Sequence, residues 1–279
     1  MAKRMTKKQK ERQKKIQLTV AVILLLIAVL LFIFARDTFF LLAEQYLGWT
    51  TATTTEATTA TTTAATTIPP YQVDFDLNEI PAFVGQEWVE VNYNRPYFLD
   101  EEKVTNSYEY YSPLDSLGRC GYAMACIGKD IMPEEEREGQ GSVTPSGWIN
   151  VKYECVSAKY LYNRCHLIGY QLTGENDNKL NLITGTRFLN VDAMLVFENK
   201  VAKYMEENPD NHVMYRVTPI YIGDNLVASG VLMEGYSVED NGEGISFCIY
   251  AYNAQPHIVI NYLTGESYHD DNVECDKYN

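Results

Sequence analysis

The chain has 279 residues, with 23 Lys and Arg against 37 Asp and Glu, a formal net charge of −14, 46% apolar residues, 21 tyrosines and six cysteines. That length and mixed composition suffice for one full hydrophobic core and exclude collagen-like, coiled-coil and wholly disordered chains. The charge is unevenly placed: residues 1–15 hold eight cations against Glu11, a net +7 that leaves −21 (−14 less +7) on residues 16–279.

Residues 16–35 read IQLTVAVILLLIAVLLFIFA, in which only Gln17 and Thr19 are polar. A helix of about 20 residues crosses a hydrocarbon core ~30 Å thick, so the run predicts a single transmembrane signal anchor. The basic tail 1–15 directly before it predicts a cytoplasmic N-terminus and a C-terminal part outside the cell. A cleaved signal peptide is the competing reading. Its apolar region would span only about 7–15 residues and end at small residues, whereas this run continues to Phe34-Ala35-Arg36-Asp37. Residues 36–70 read as a juxtamembrane segment and stalk. Between 50 and 67 stand twelve Thr and five Ala with no large apolar side chain, a composition that buries too little surface to offset its ordering entropy.

Residues 71–279 read as one extracellular domain. It holds all six cysteines, Cys120, Cys126, Cys155, Cys165, Cys248 and Cys275. An even number on the predicted outer side favours disulfides, with the pairing left open. No Cys/His group has zinc spacing. Strand-like runs appear at 119–127, 148–154, 213–221, 226–233, 247–252 and 258–262. One helix is expected from Val191 to Glu207, where Met194, Phe197, Val201 and Tyr204 recur at steps of three and four before Asn208-Pro209. Strands outnumber helices and lack regular helical crossovers, which predicts an α+β domain with a mostly antiparallel central sheet.

Among four histidines, His166 has the suggestive setting: Tyr162-Asn163-Arg164-Cys165-His166-Leu167-Ile168-Gly169, then the polar loop GENDNK, then Asn181 to Asn190. A histidine with a pKa near 6.5 can accept a proton from water at neutral pH, while Arg and Asn supply phosphate contacts and hard oxygen ligands. Each residue alone has a plainer reading. His166 alone is a hydrogen-bonded structural residue, Asn190 a helix cap, Glu198 a solvated helix position, and Arg119 or Arg164 a surface ion pair. The GENDNK loop lacks the glycine and glutamate positions of an EF-hand and reads as a turn-rich connection.

The stretch NRCH, followed by Asn181, Asn190 and Glu198, resembles the DNA/RNA non-specific endonucleases of the ββα-metal (His-Me finger) class. Their signature is Asp-Arg-Gly-His, an Asn-rich loop and a helix. Upstream, YYSPLDSLGRCGYAMACIGKDIMP and VTPSGWINVKYE are similar to blocks of the DNA-entry nuclease branch, so the resemblance runs from about Val89 to about Tyr268. It implies the ββα-metal fold, His166 as general base, and Asn190 as direct ligand of a Mg²⁺ ion for which Mn²⁺ can substitute. It also implies Glu198 holding a metal-bound water, Asn181 as an accessory residue, and Arg164 with Arg119 on the phosphate. No small-molecule cofactor is implied.

The implied reaction is a one-metal, in-line hydrolysis of phosphodiesters in DNA or RNA, without base reading if contacts stay on phosphate and sugar. Asn163 and Cys165 depart from the motif's Asp and Gly. A Cys165-His166 thiol dyad is disfavoured because adjacent strand side chains face opposite ways, which leaves Cys165 to be bridged or packed.

The leading expectation is a nuclease on a bacterial cell surface, anchored through residues 16–35 and serving nutrition, DNA-uptake machinery or escape from extracellular DNA. A catalytically inactive module that binds nucleic acid or protein is the alternative, and a secreted toxin domain a third. The −21 body has the wrong sign for broad attraction to nucleic acid, so capture is expected to rest on the metal and a few arginines, and to be weak and salt-sensitive.

Overall fold

A computed structural model describes residues 75–270, apart from 136, 138 and 140. The expected basic tail, membrane span and stalk, and Cys275, lie outside the described residues. Among the described residues no helix is long and apolar enough to cross a membrane.

The strands, in chain order, are β1 (Trp88–Glu90), β2 (Tyr108–Tyr111), β3 (Ala123–Ile127), β4 (Tyr162–His166), β5 (Leu182–Thr186), β6 (Val213–Ile220), β7 (Gly230–Ser237), β8 (Ser246–Tyr252), β9 (Ile258–Ile260) and β10 (Ser267–His269). Six of them make an antiparallel sheet in the order β1-β8-β7-β6-β3-β2, while β4 pairs with β5 and β9 with β10. A one-turn helix α1 (Tyr170–Thr173) follows β4. A π-helical segment Phe188–Met194 follows β5 and runs straight into the α-helix α2 (Leu195–Glu207). The sequence β4, β5, helix is thus a ββα unit.

Both faces of the large sheet are covered. Alternate positions Val213, Tyr215, Val217, Val231, Met233, Phe247 and Ile249 pack with Phe197, Val201 and Met205 of α2. Phe197 meets Trp88 and Phe247 at ring-centroid distances of 5.2 and 4.8 Å. Burial of each such side chain contributes about 1.5–3 kcal/mol, and this packing holds the ββα unit against the sheet. On the other face, Tyr250 and Tyr252 pack against Phe75, Leu77, Ile80 and Phe83 of the N-terminal segment.

That second face also buries charge. Arg216 on β6 stands directly opposite Glu234 on β7 and is fully buried. Its Nε and Nη2 donate to Glu234 at 2.9 and 3.2 Å, its Nη1 donates to Glu102 at 3.0 Å, and its guanidinium lies 4.5 Å from the Phe98 ring centroid. Glu234 also accepts from the Tyr97 backbone N–H at 2.7 Å. One cation therefore fastens two sheet strands to the covering segment.

Several sequence expectations shift. The run at 119–127 becomes a strand only from Ala123, because the Asp115 carboxylate accepts from the Leu117 and Arg119 N–H groups and holds residues 115–119 as a turn. The run at 148–154 forms no strand; it contributes a single bridge, Lys152 to Tyr160. The run at 226–233 starts as a strand at Gly230. The expectation of general disulfide bridging is corrected as well. Cys120, Cys126, Cys165 and Cys248 are free and buried, three of them in strands that turn them into packed interior, whereas Cys155 is disulfide-bonded.

Arg216→Leu strands Glu234 and Glu102 without their counter-charge and should lower the unfolding free energy by about 3–5 kcal/mol. Urea denaturation measures this, and a loss below about 1 kcal/mol would contradict the clamp.

Candidate active site

β4 carries Arg164 and His166, and the π-helical segment carries Asn190. They border one cavity of about 470 Å³, also lined by Arg137, Trp148, Asn150, Tyr160, Asn163 and Arg187. Among its described lining residues there are three arginines and no carboxylate, although acids outnumber bases in the whole chain.

His166 is buried, and its Nε2 lies 2.9 Å from the backbone carbonyl of Asn176. A carbonyl only accepts, so the neutral ring carries its proton on Nε2 and keeps Nδ1 as the basic nitrogen. Burial pulls the His166 pKa below its ordinary 6.5, and the Arg137 charge adds to this. Together they outweigh the Asn176 and Glu175 carbonyls and the Asp177 carboxylate. At neutral pH the ring is therefore an unprotonated base.

The GENDNK loop that supplies Asn176 is fixed by its own contacts. Asp177 accepts from the backbone N–H groups of Ser142 and Val143 at 3.0 and 3.2 Å, and Arg137 Nε donates to Asn176 Oδ1 at 2.6 Å. Val143 in turn offers its carbonyl to Arg164 Nε, while the Arg164 guanidinium sits 4.9 Å from the Trp148 ring centroid.

Asn163 Oδ1 accepts from Arg187 Nη1 and from Asn190 Nδ2, each at 3.3 Å. The neutral amide thus performs the acceptor role that the motif's usual Asp would have, without cancelling the Arg187 charge. Asn190 lies inside the helical run rather than at its cap. With its Nδ2 engaged, its amide oxygen is bonded to no described residue. One hard oxygen in a polar cavity suits a cation that keeps most of its water, as Mg²⁺ does.

Glu198, in the first turn of α2, is buried and is not among the residues lining the cavity. It packs against Gly169, where a Cβ would come within 2.5 Å of its Oε2. Burial raises its pKa to about 7, with only a bond to Gln171 opposing.

Two residues stand elsewhere than expected. Arg119 lies outside the cavity with its guanidinium committed: Nε donates to Asp115 at 2.7 Å, Nη1 donates to the Gly223 and Asn225 carbonyls, and the group stacks 4.6 Å from the Tyr221 centroid. It ties two loops together. Asn181 is fully buried; its Oδ1 accepts from the Ile168 N–H and its Nδ2 donates to the Ile168 carbonyl, both at 2.9 Å. It braces the His166 strand from behind.

Cys165 faces the interior, 3.5 Å from Met194 Sδ, with its thiol pKa pushed well up by burial, so no Cys165-His166 dyad forms. Sequence reasoning passed over Arg187, whose three-residue step from Asn190 along a helix was a usable signal. It also passed over Arg137, which sits in an acidic run that carries none.

The ββα unit thus gathers a histidine, three arginines and three asparagines at one cavity. The chain belongs to the DNA/RNA non-specific endonuclease family, whose model matches residues 100–239. It is similar to a deoxyribonuclease from Streptococcus dysgalactiae subsp. equisimilis, 28% identical over 206 residues that cover 59% of this chain and 62% of that protein. The chain thus spans under two thirds of that relative's length. Among solved structures it is similar to the Sda1 nuclease with a bound zinc ion, at 32% identity and TM-score 0.52 over 57% of this chain and 79% of that one. The fold is also shared with NucA from Streptococcus agalactiae with a magnesium ion bound, at 23% identity and TM-score 0.56 over 66% and 87% of the two chains.

If Asn181 is a brace, Asn181→Ala should lower the unfolding free energy by about 2–4 kcal/mol through two buried backbone groups left unpaired. Unchanged stability in urea titration would return Asn181 to a direct role in the site.

Proposed function

We propose that this chain is a metal-dependent endonuclease that hydrolyses phosphodiester bonds of DNA or RNA, anchored through residues 16–35 with its catalytic domain outside the cell. The observation that carries the catalytic part is the cavity itself: a buried histidine with its Nε2 on a backbone carbonyl, three arginines and an amide oxygen bonded to no described residue, with no carboxylate among the described lining residues. The twenty-residue apolar run and the lysines before it support the anchor.

In this reading Arg164, Arg187 and Arg137 hold the phosphate, since a guanidinium stays charged and offers paired donors to two oxygens. His166 Nδ1 takes the proton of the attacking water, and the bond from Nε2 to the Asn176 carbonyl keeps the ring in the tautomer that can do so. Asn190 would hold a divalent cation through its amide oxygen, and Glu198, packed at Gly169 outside the cavity lining, would reach that ion only through bound water. The relatives whose structures hold zinc or magnesium support a divalent ion, and we assign Mg²⁺. When bound, such an ion supplies positive charge to the leaving oxygen and a bound water to protonate it. Asn163 orients both Asn190 and Arg187 from one acceptor atom.

The full chain should nick supercoiled plasmid with Mg²⁺ and stop in EDTA; folded, metal-replete protein that leaves plasmid intact would refute the enzyme. His166→Ala should cost about 10²–10⁴-fold in rate. Because the His166 pKa is lowered, the base form persists below pH 6.5, so the acid limb of kcat/KM should fall below that value. A limb centred above pH 7 would assign it to another group.

Arg187→Ala should lower kcat/KM about 10–100-fold, the worth of a lost charge-assisted bond, with stability little changed. Arg119→Ala should show the reverse pattern, lower Tm with nearly normal kinetics. Equal kinetic losses would put Arg119 back on the phosphate.

A further inference from the structure

Phosphate chemistry accounts for the arginines of the cavity but not for its aromatic rings. Tyr162 is buried, with its hydroxyl bonded to the Gly265 carbonyl at 3.0 Å, and Trp148 lies against Arg164. Tyr160 is different: it lines the cavity yet is 42% exposed, with the Lys152 ammonium 4.6 Å from its ring centroid.

Its backbone is held firmly for so exposed a side chain. Lys152 pairs with Tyr160, Leu161 N–H donates to the Val151 carbonyl at 3.0 Å, Tyr153 N–H donates to the Lys159 carbonyl at 2.8 Å, and Cys155 within the loop is disulfide-bonded. Just before Tyr160, Ala158 and Lys159 are kept at φ of 61° and 69°, a left-handed conformation that residues with a Cβ adopt at a cost and that clusters at functional sites.

We propose that Tyr160, backed by Lys152, is a nucleobase platform. The base of a nucleotide next to the scissile phosphate stacks on the Tyr160 ring while the arginines hold that phosphate, so the favoured substrate is an unpaired strand rather than intact duplex. The proposal rests on the nuclease reading and names its substrate class. Stacking on one aromatic ring is worth about tenfold or more in affinity per base. Extracting a base from a duplex costs a comparable amount, and an already unpaired base costs least. The two nearly cancel on duplex, so the platform yields its full gain only on a single strand. Lys152 adds charge beside the ring, where the acidic chain supplies little general attraction.

The test compares wild type, Tyr160→Phe, Tyr160→Leu and Tyr160→Ala as full-length chains, with Mg²⁺, on an end-labelled single-stranded dodecamer and the same sequence as duplex. Tyr160→Ala and Tyr160→Leu should lower kcat/KM on the single strand about tenfold, mainly through KM, and change duplex cleavage less than twofold; Tyr160→Phe should match wild type. Equal loss on both substrates, or none on either, would overturn the platform, and thermal melting shows whether a variant has lost its fold.

A parallel measurement needs no cleavage. In a His166→Ala background with Mg²⁺, fluorescence anisotropy should show the single strand binding about tenfold more weakly after Tyr160→Ala. Plasmid nicking without any Tyr160 effect sinks only the platform. Tyr160-dependent binding by a chain that cleaves nothing sinks the nuclease reading and keeps the platform.

Discussion

Two hydrogen bonds of 2.9 Å, from one buried side-chain amide to the backbone N–H and carbonyl of Ile168, hold the reactive end of this protein in place. Asn181 makes them, and its own carbonyl accepts from Leu167 N–H at 2.8 Å. Between residues 167 and 181 the chain leaves the β4–β5 pair, forms α1 and the GENDNK loop, and returns. Asn181 closes that excursion as a further rung of a strand ladder would. Everything the loop supplies depends on the closure: the carbonyl that sets the His166 tautomer, the Asp177 carboxylate that fixes residues 142–143, and through Val143 the placement of Arg164. A side chain without access to solvent thus holds the loop whose carbonyl faces His166 Nε2.

The distribution of charge follows the same economy. A chain with net charge −14 gains little from long-range attraction to a polyanion, and such attraction is screened over ~8–10 Å in any case. The structure sequesters cations instead. Three guanidinium groups border one cavity, and Asn163 positions Arg187 with a neutral oxygen where a carboxylate would have cancelled it. Arg216 shows the opposite use of the same side chain, with two carboxylates and an aromatic ring consuming its charge for architecture.

That contrast explains what could be read from residues alone. The antiparallel sheet and the helix were legible because β6, β8 and α2 carry dense apolar periodicity. β4 and β5 fell outside the strand-like runs, since Asn163, Arg164 and the Thr184-Gly185-Thr186 stretch read as polar punctuation; only the family resemblance implied a strand at Cys165-His166, and its strand character comes from pairing with β5. The His166, Arg164 and Asn190 grouping was legible through motif spacing. Arg119 was not separable from a phosphate ligand by sequence, because its commitment to Asp115 and to two carbonyls about a hundred residues away is a tertiary event. Asn181 likewise looks identical in sequence whether it touches substrate or backbone.

The π-helical stretch Phe188–Met194 sets the angular phase of the helix that follows. In uninterrupted α-helix the eight residues from Asn190 to Glu198 make about 2.2 turns, which would point the two side chains in clearly different directions. A π turn takes roughly one residue more than an α turn, so one turn of each absorbs the eight residues in close to two full revolutions. Asn190 and Glu198 then project from the same side of one rod, facing the β4 strand and its exit loop. A plain α-helix one residue shorter would also keep the pair aligned, since seven steps make about 1.9 turns; the π turn is thus the device that admits one extra residue between Asn190 and Glu198 without swinging them apart.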